Sequence, residues 1–124
     1  LIQLSEKLSR EGCIVIEVPS SDDALLTLFQ CEPFQKFTYW SQHLFLFNSS
    51  TFNTLANQAG LKVVGIQNYQ RYPLSNHLHW LSKGEPGGHS KWNFLNNIEL
   101  ERAYANALAR IGKSDTIIAH LEKH

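Results

Sequence analysis

The chain has 124 residues, and its 11 basic and 11 acidic side chains cancel to a formal net charge of zero. With 43% apolar, 11% aromatic and 18% charged residues, it has the make-up of one folded domain or part of one, not of a disordered or low-complexity segment. The first 62 residues hold four basic against six acidic side chains and the rest seven against five, so neither half is a polybasic arm for nucleic acid. No apolar run reaches the roughly 18 residues that cross a bilayer, so the sequence reads as cytoplasmic, with no nucleic-acid or membrane partner. Cys13 and Cys31 lack C-x-x-C spacing and flanking His ligands, which fits a reducing compartment and inert thiols.

In chain order, Leu1, Leu4 and Leu8 recur at helical spacing without a capping residue ahead of them, and Gly12 stands where a helix terminates. Because the sequence also contains no Met, it reads as a piece that starts inside a helix. The β-branched run Cys13 to Val18, stopped by Pro19, predicts a strand buried on both faces, as in a parallel sheet. Residues 24–30 predict a short helix capped by Ser21 or Asp22.

Seven of the fourteen aromatics lie between Phe34 and Phe52, a stretch that reads as a long loop pinned on a sheet. Ser49 or Ser50 as N-cap, with Phe52, Leu55, Ala56 and Ala59 on one face and Gly60 at the end, predicts a second helix. A strand follows over 61–72, with an irregularity at Gly65. Leu74, Leu78 and Leu81 predict a helix ended by Gly84, and the breaker-rich stretch 84–92 reads as a gating lid or as an ordinary connection. Asn96 and Glu99 resemble a capping box opening a long helix to Arg110, and residues 115–121 predict a last strand.

Several strings, taken together, resemble the C-terminal half of class I S-adenosylmethionine-dependent methyltransferases of the small-molecule type. Arg10 to Pro19 resembles the family's fifth strand with its preceding glycine and following proline. His43-Leu44-Phe45-Leu46-Phe47-Asn48, Ser50-Thr51-Phe52 and Leu55 to Val64 resemble its next loop, helix and sixth strand. The likeness covers residues 1–72 well, while 73–92 resembles only a tail seen in some bacterial members, and the last strand would match an antiparallel seventh.

The resemblance implies an α/β fold. It would be part of a doubly wound, Rossmann-like sheet of three to four strands with flanking helices and an antiparallel last strand. Residues 1–124 would then be the acceptor-side part of the domain. The family holds S-adenosylmethionine with a Gly-rich turn after its first strand, and none of the seven glycines here forms G-x-G-x-x-G after a strand. The expectation is therefore a fragment of a methyltransferase acting on a small-molecule acceptor, with the cofactor bound in the full-length parent but not by this chain alone. The rival expectation is a standalone α/β interaction module without catalytic activity, its aromatic segment forming the partner-binding face.

Four residues stand out as candidate site residues. Glu17 sits near the carboxyl end of a strand, where open α/β sheets place ligands, and reads either as a substrate contact or as a carboxylate paired at the solvated strand end. His43 lies in the segment that often lines the family's acceptor pocket and could take a proton from the methylated group, or be an ordered loop histidine. Tyr39 and Trp40 could stack on a planar acceptor or pin the loop. On a helix, His77 and His79 point about 200° apart, so no metal site is expected there. Strand 13–18 would lack a neighbour, so self-association through that exposed sheet edge is expected.

Overall fold

The computed structural model describes residues 1–40 and 43–124. In order, it contains α1 (Ile2–Lys7), β1 (Cys13–Pro19), α2 (Ala24–Thr27), α3 (Glu32–Trp40), α4 (Ser49–Gln58), β2 (Leu61–Tyr69), α5 (Leu74–Lys83), α6 (Gly88–Lys91), a 3-10 turn at Asn93–Leu95, α7 (Ile98–Arg110) and β3 (Thr116–Lys123). The fold is α/β, with a three-stranded sheet in the order β1-β3-β2 and helices flanking it. β3 is antiparallel to both neighbours, so β1 and β2 run parallel to each other on either side of it. The last strand is thus antiparallel, but none of the strand pairs is parallel, and the doubly wound arrangement is not carried by these three strands.

One face of the sheet holds the core. Phe52, Ala56 and Ala59 recur at i, i+4 and i+7 along and just past α4, and pack on Leu61, Ala119 and Leu121, with Ile14, Ile16, Val18 and Val63 half-buried around them. The helix is set by Asn48, not Ser49 or Ser50. The Asn48 side chain accepts from the Thr51 N–H at 2.9 Å, and the Thr51 hydroxyl accepts from the Asn48 N–H at 3.0 Å. Likewise Asn97, not Asn96, caps α7, accepting from Glu99 N and Leu100 N. In each case the neighbouring side chain performs the same chemistry one or two residues from the predicted cap.

The expectation that β1 is buried on both faces is corrected. Ile14, Ile16 and Val18 face the core while Cys13, Val15 and Glu17 are exposed, Val15 to 58%. An apolar run cannot distinguish a strand with both faces covered from one whose second face is bare. Gly65 does mark a register shift, where β2 slips against β3 between Val63 and Gly65.

The aromatic stretch is also corrected, because its first part is the helix α3 and not a loop. Pro33 lies in the first turn, where a missing N–H costs nothing, and Phe34 and Phe37 share a face three residues apart. Both rings pack on Trp80 of α5, with centroids 5.2 and 5.1 Å away, and Trp80 and Phe34 form with Leu25 and Cys31 a second small core, Phe37 staying exposed beside it.

Candidate functional site

β1 and β2 end level with each other, Pro19 and Tyr69 both lying opposite Thr116 at the start of β3. Between the two carboxyl ends sits Asp115, whose carbonyl accepts from Ser20 N at 2.8 Å and whose carboxylate gathers the chain leaving β2. Its Oδ1 accepts from Arg71 N (2.8 Å) and Thr116 Oγ1 (2.8 Å), and its Oδ2 accepts from Tyr72 N (3.0 Å) and Gln70 Nε2 (2.9 Å). A cleft of about 500 Å³ opens at this end of the sheet, walled by α2, α3, α5 and the loop before α6. It lies outside the carboxyl ends of two parallel strands, the place where open α/β sheets bind ligands.

The floor is polar and buried. Asp23 is the N-cap of α2, its Oδ1 accepting from Leu25 N at 2.8 Å, and it is only 5% exposed. Burial, with a smaller contribution from neighbouring Asp115, pushes its carboxyl up to about 7. Burial likewise raises the Asp115 carboxyl, against the hydrogen bonds from Arg71 N, Tyr72 N and Thr116 Oγ1 and the charge of Arg71, which favour its charged form. The sequence placed the cap of this helix at Ser21 or Asp22. The cap is Asp23, one residue on, and it lies under the cleft.

His77 is buried behind them, and burial holds it neutral, down to about 4. Asp115 N–H meets Gln70 Oε1 at 3.0 Å, which turns Gln70 Nε2 toward Asp115 Oδ2 and the Tyr72 carbonyl, each 2.9 Å away, and leaves it 3.2 Å from His77 Nε2. His77 Nδ1 pairs with the Tyr104 hydroxyl at 2.6 Å. Burial, then Asp23 and Asp115, raise that phenol to about 12, so it stays protonated. His79, two residues along the same helix, instead meets the Glu85 carbonyl at 2.8 Å and the Trp92 ring. The two histidines have separate partners, and among the described residues no three His, Cys, Asp or Glu side chains gather as a metal site.

The four predicted site residues divide. Glu17 and His43 both line the cleft. Glu17 does so at the rim, half-exposed and paired with Arg71 at 3.1 Å, which is the solvated pairing that its strand-end position allowed. His43 is exposed at the mouth. Tyr39 is not brought to the cleft: it lies two residues from Phe37, hence on the far side of α3, and is 58% exposed. The Trp40 side chain lies outside the described residues.

Asp23, His77, Asp115, Gln70 and Tyr104 were not selected by sequence reasoning as a cleft. His77 was weighed only as a metal ligand, and the others carry no motif. The single available signal was Asp23-Ala24-Leu25-Leu26, a carboxylate directly before an apolar helix. The stretch 84–92 is a packed connection: Gly84 closes α5 with φ +68°, Gly88 sits against Ser75 and Asn76, and Asn96 Nδ2 donates to the His89 carbonyl. Among the described residues no helix is long and apolar enough to cross a membrane. No protein-family model matches the chain, and neither a curated protein nor a solved structure matches it significantly.

Proposed function

We propose that this chain is the acceptor-side part of a cytoplasmic, S-adenosylmethionine-dependent methyltransferase for a small molecule, the cofactor being held by residues of a longer polypeptide. The observation that carries the reading is the cleft outside the carboxyl ends of β1 and β2, with His43 at its mouth and a buried polar floor. The antiparallel last strand was expected of the implied fold, while the rest of a doubly wound sheet would come from the longer polypeptide. In this reading the cofactor supplies an electrophilic methyl group, and the chain's own residues bind the acceptor, exclude water and receive its proton. His43 is the exposed imidazole placed to do the last.

The test is a calorimetric titration with S-adenosylmethionine of this chain and of the same chain extended by the roughly one hundred residues that complete a doubly wound half. The expected result is micromolar binding by the extended chain and none by this one. Absence of a strand, Gly-rich turn and helix in the preceding coding sequence would overturn the reading, as would tight binding by this chain alone. The interaction-module reading draws on Leu44 and Phe45, which are 87% and 74% exposed. Cofactor binding by the extended chain would remove it.

A further inference from the structure

Two carboxyl groups meet at the floor of the cleft, and only one of them has capacity left. Both oxygens of Asp115 are taken by the four donors described above. Asp23 uses Oδ1 to cap α2, and among the described residues its Oδ2 has no partner, although the side chain is 95% buried and lines the cleft. This oxygen keeps its contact with the solvent of the cleft, and a ligand hydroxyl there can take the place of that water. Asn76, also 5% exposed and lining the cleft, has a carboxamide without a hydrogen-bond partner among the described residues, so the floor offers both a donor and acceptors.

The surroundings restrict what the ligand is. Its walls include Phe37, Trp80 and Leu25, which present flat and apolar surface. Anions are disfavoured, because Asp23 and Asp115 lie together and the one arginine at the rim is held by Glu17. A cation would have to shed more water than a hydroxyl to reach a floor this buried.

The geometry points to a site for a neutral ring bearing a hydroxyl, which hydrogen-bonds with Asp23 Oδ2 while the ring lies along Phe37 and Trp80. This deepens the methyltransferase reading by naming its acceptor class, and it rests on that reading only for the reaction, not for the binding. Asp23→Ser is the informative variant, because serine keeps the N-cap of α2 and removes the oxygen that faces the cleft.

The experiment is ligand-observed NMR and calorimetry on this chain. The probes are 4-methylphenol and methyl β-glucopyranoside as aromatic and sugar-like hydroxyl rings, with 4-methylbenzoate and 4-methylbenzylamine as charged controls. At least one hydroxyl ring is expected to bind better than either control, and Asp23→Ser to weaken it about tenfold, the worth of one hydrogen bond to a carboxyl group. Which of the two rings binds separates the aromatic from the sugar-like class. Should Asp23→Ser fail to fold by circular dichroism, Asn76→Ala reads the same floor and is expected to weaken binding several-fold. Binding by neither ring, a charged control that binds equally, or unchanged affinity in the folded variant would overturn the inference. Cofactor titration of the extended chain is a separate readout, so this site and the methyltransferase reading fail independently.

Discussion

Gln70 and Asp115 exchange two hydrogen bonds across 45 residues: Asp115 N–H donates to Gln70 Oε1 at 3.0 Å, and Gln70 Nε2 donates back to Asp115 Oδ2 at 2.9 Å. This reciprocal pair fastens the exit of β2 to the entry of β3 and fixes the Gln70 amide against His77. Asp115→Ala should therefore cost more than Gln70→Ala. It strands the Arg71 and Tyr72 N–H groups together with the Gln70 amide, about 2–4 kcal/mol against about 1–2 kcal/mol. Urea denaturation followed by fluorescence reads both, and equal losses would show that Asp115 does not organise the strand ends.

The Asp23 carboxyl and His77 should make stability depend on pH in opposite directions. Asp23 has a folded pKa raised to about 7 from 3.8, so the folded state holds its proton longer and stability is lost as pH rises from about 4 to 7. His77 has a folded pKa lowered to about 4 from 6.5, so the unfolded chain takes the proton first and stability is lost as pH falls from about 6.5 to 4. Each group has a limiting slope of about 1.4 kcal/mol per pH unit, and between pH 4.5 and 6 the two largely offset each other. Asp23→Ser should leave stability that climbs with pH over this window, and His77→Asn should leave stability that declines. Parallel curves for the two variants would refute the assignment.

Local periodicity made most of the elements legible, because α4, β2 and α7 announce themselves through apolar spacing and terminal glycines. The failures have two physical causes. A run such as Cys13 to Val18 states that a strand is apolar but not how many of its faces are covered, and Val15 turned out bare. The cleft is assembled from residues 23, 37, 76, 77, 80 and 115, with Gln70 and Tyr104 bonded behind it, so no short motif contains it. Glu17 was within reach because it lies near the carboxyl end of a strand, and His43 because its segment resembles the family's acceptor-side loop. Asp23 was legible neither as the cap, which the sequence put at Ser21 or Asp22, nor as a buried acid, since burial depends on elements distant in sequence folding over it.

The outer edge of β1 offers a further test, because β1 pairs with β3 alone and presents Val15 beside that edge. An unpaired strand edge with an apolar neighbour invites a second copy. Sedimentation of this chain should show concentration-dependent dimers, and Val15→Lys should suppress them by placing a charge beside the edge. The extended chain of the methyltransferase reading would cover the edge with its own strand and sediment as a monomer. A strictly monomeric profile for this chain at every concentration would remove self-pairing.

Gly88 and Gly65 should respond to alanine with opposite signs, although neither has a positive φ. A Cβ on Gly88 would overlap the His79 Cβ and stand 2.5 Å from the Ser75 carbonyl oxygen and 2.8 Å from the Asn76 Cα. Two of those obstacles are backbone of α5, which cannot yield without moving the helix that carries Asn76, His77 and Trp80. Gly88→Ala should therefore lower stability by about 1–3 kcal/mol and, where the chain still folds, shift the cleft wall. A Cβ on Gly65 meets nothing within 4 Å, so Gly65→Ala should gain about 0.5 kcal/mol by reducing the freedom of the unfolded chain. Thermal melts of the two variants decide it, and a Gly88→Ala chain as stable as the parent would mean that α6 does not pack on α5 through that glycine.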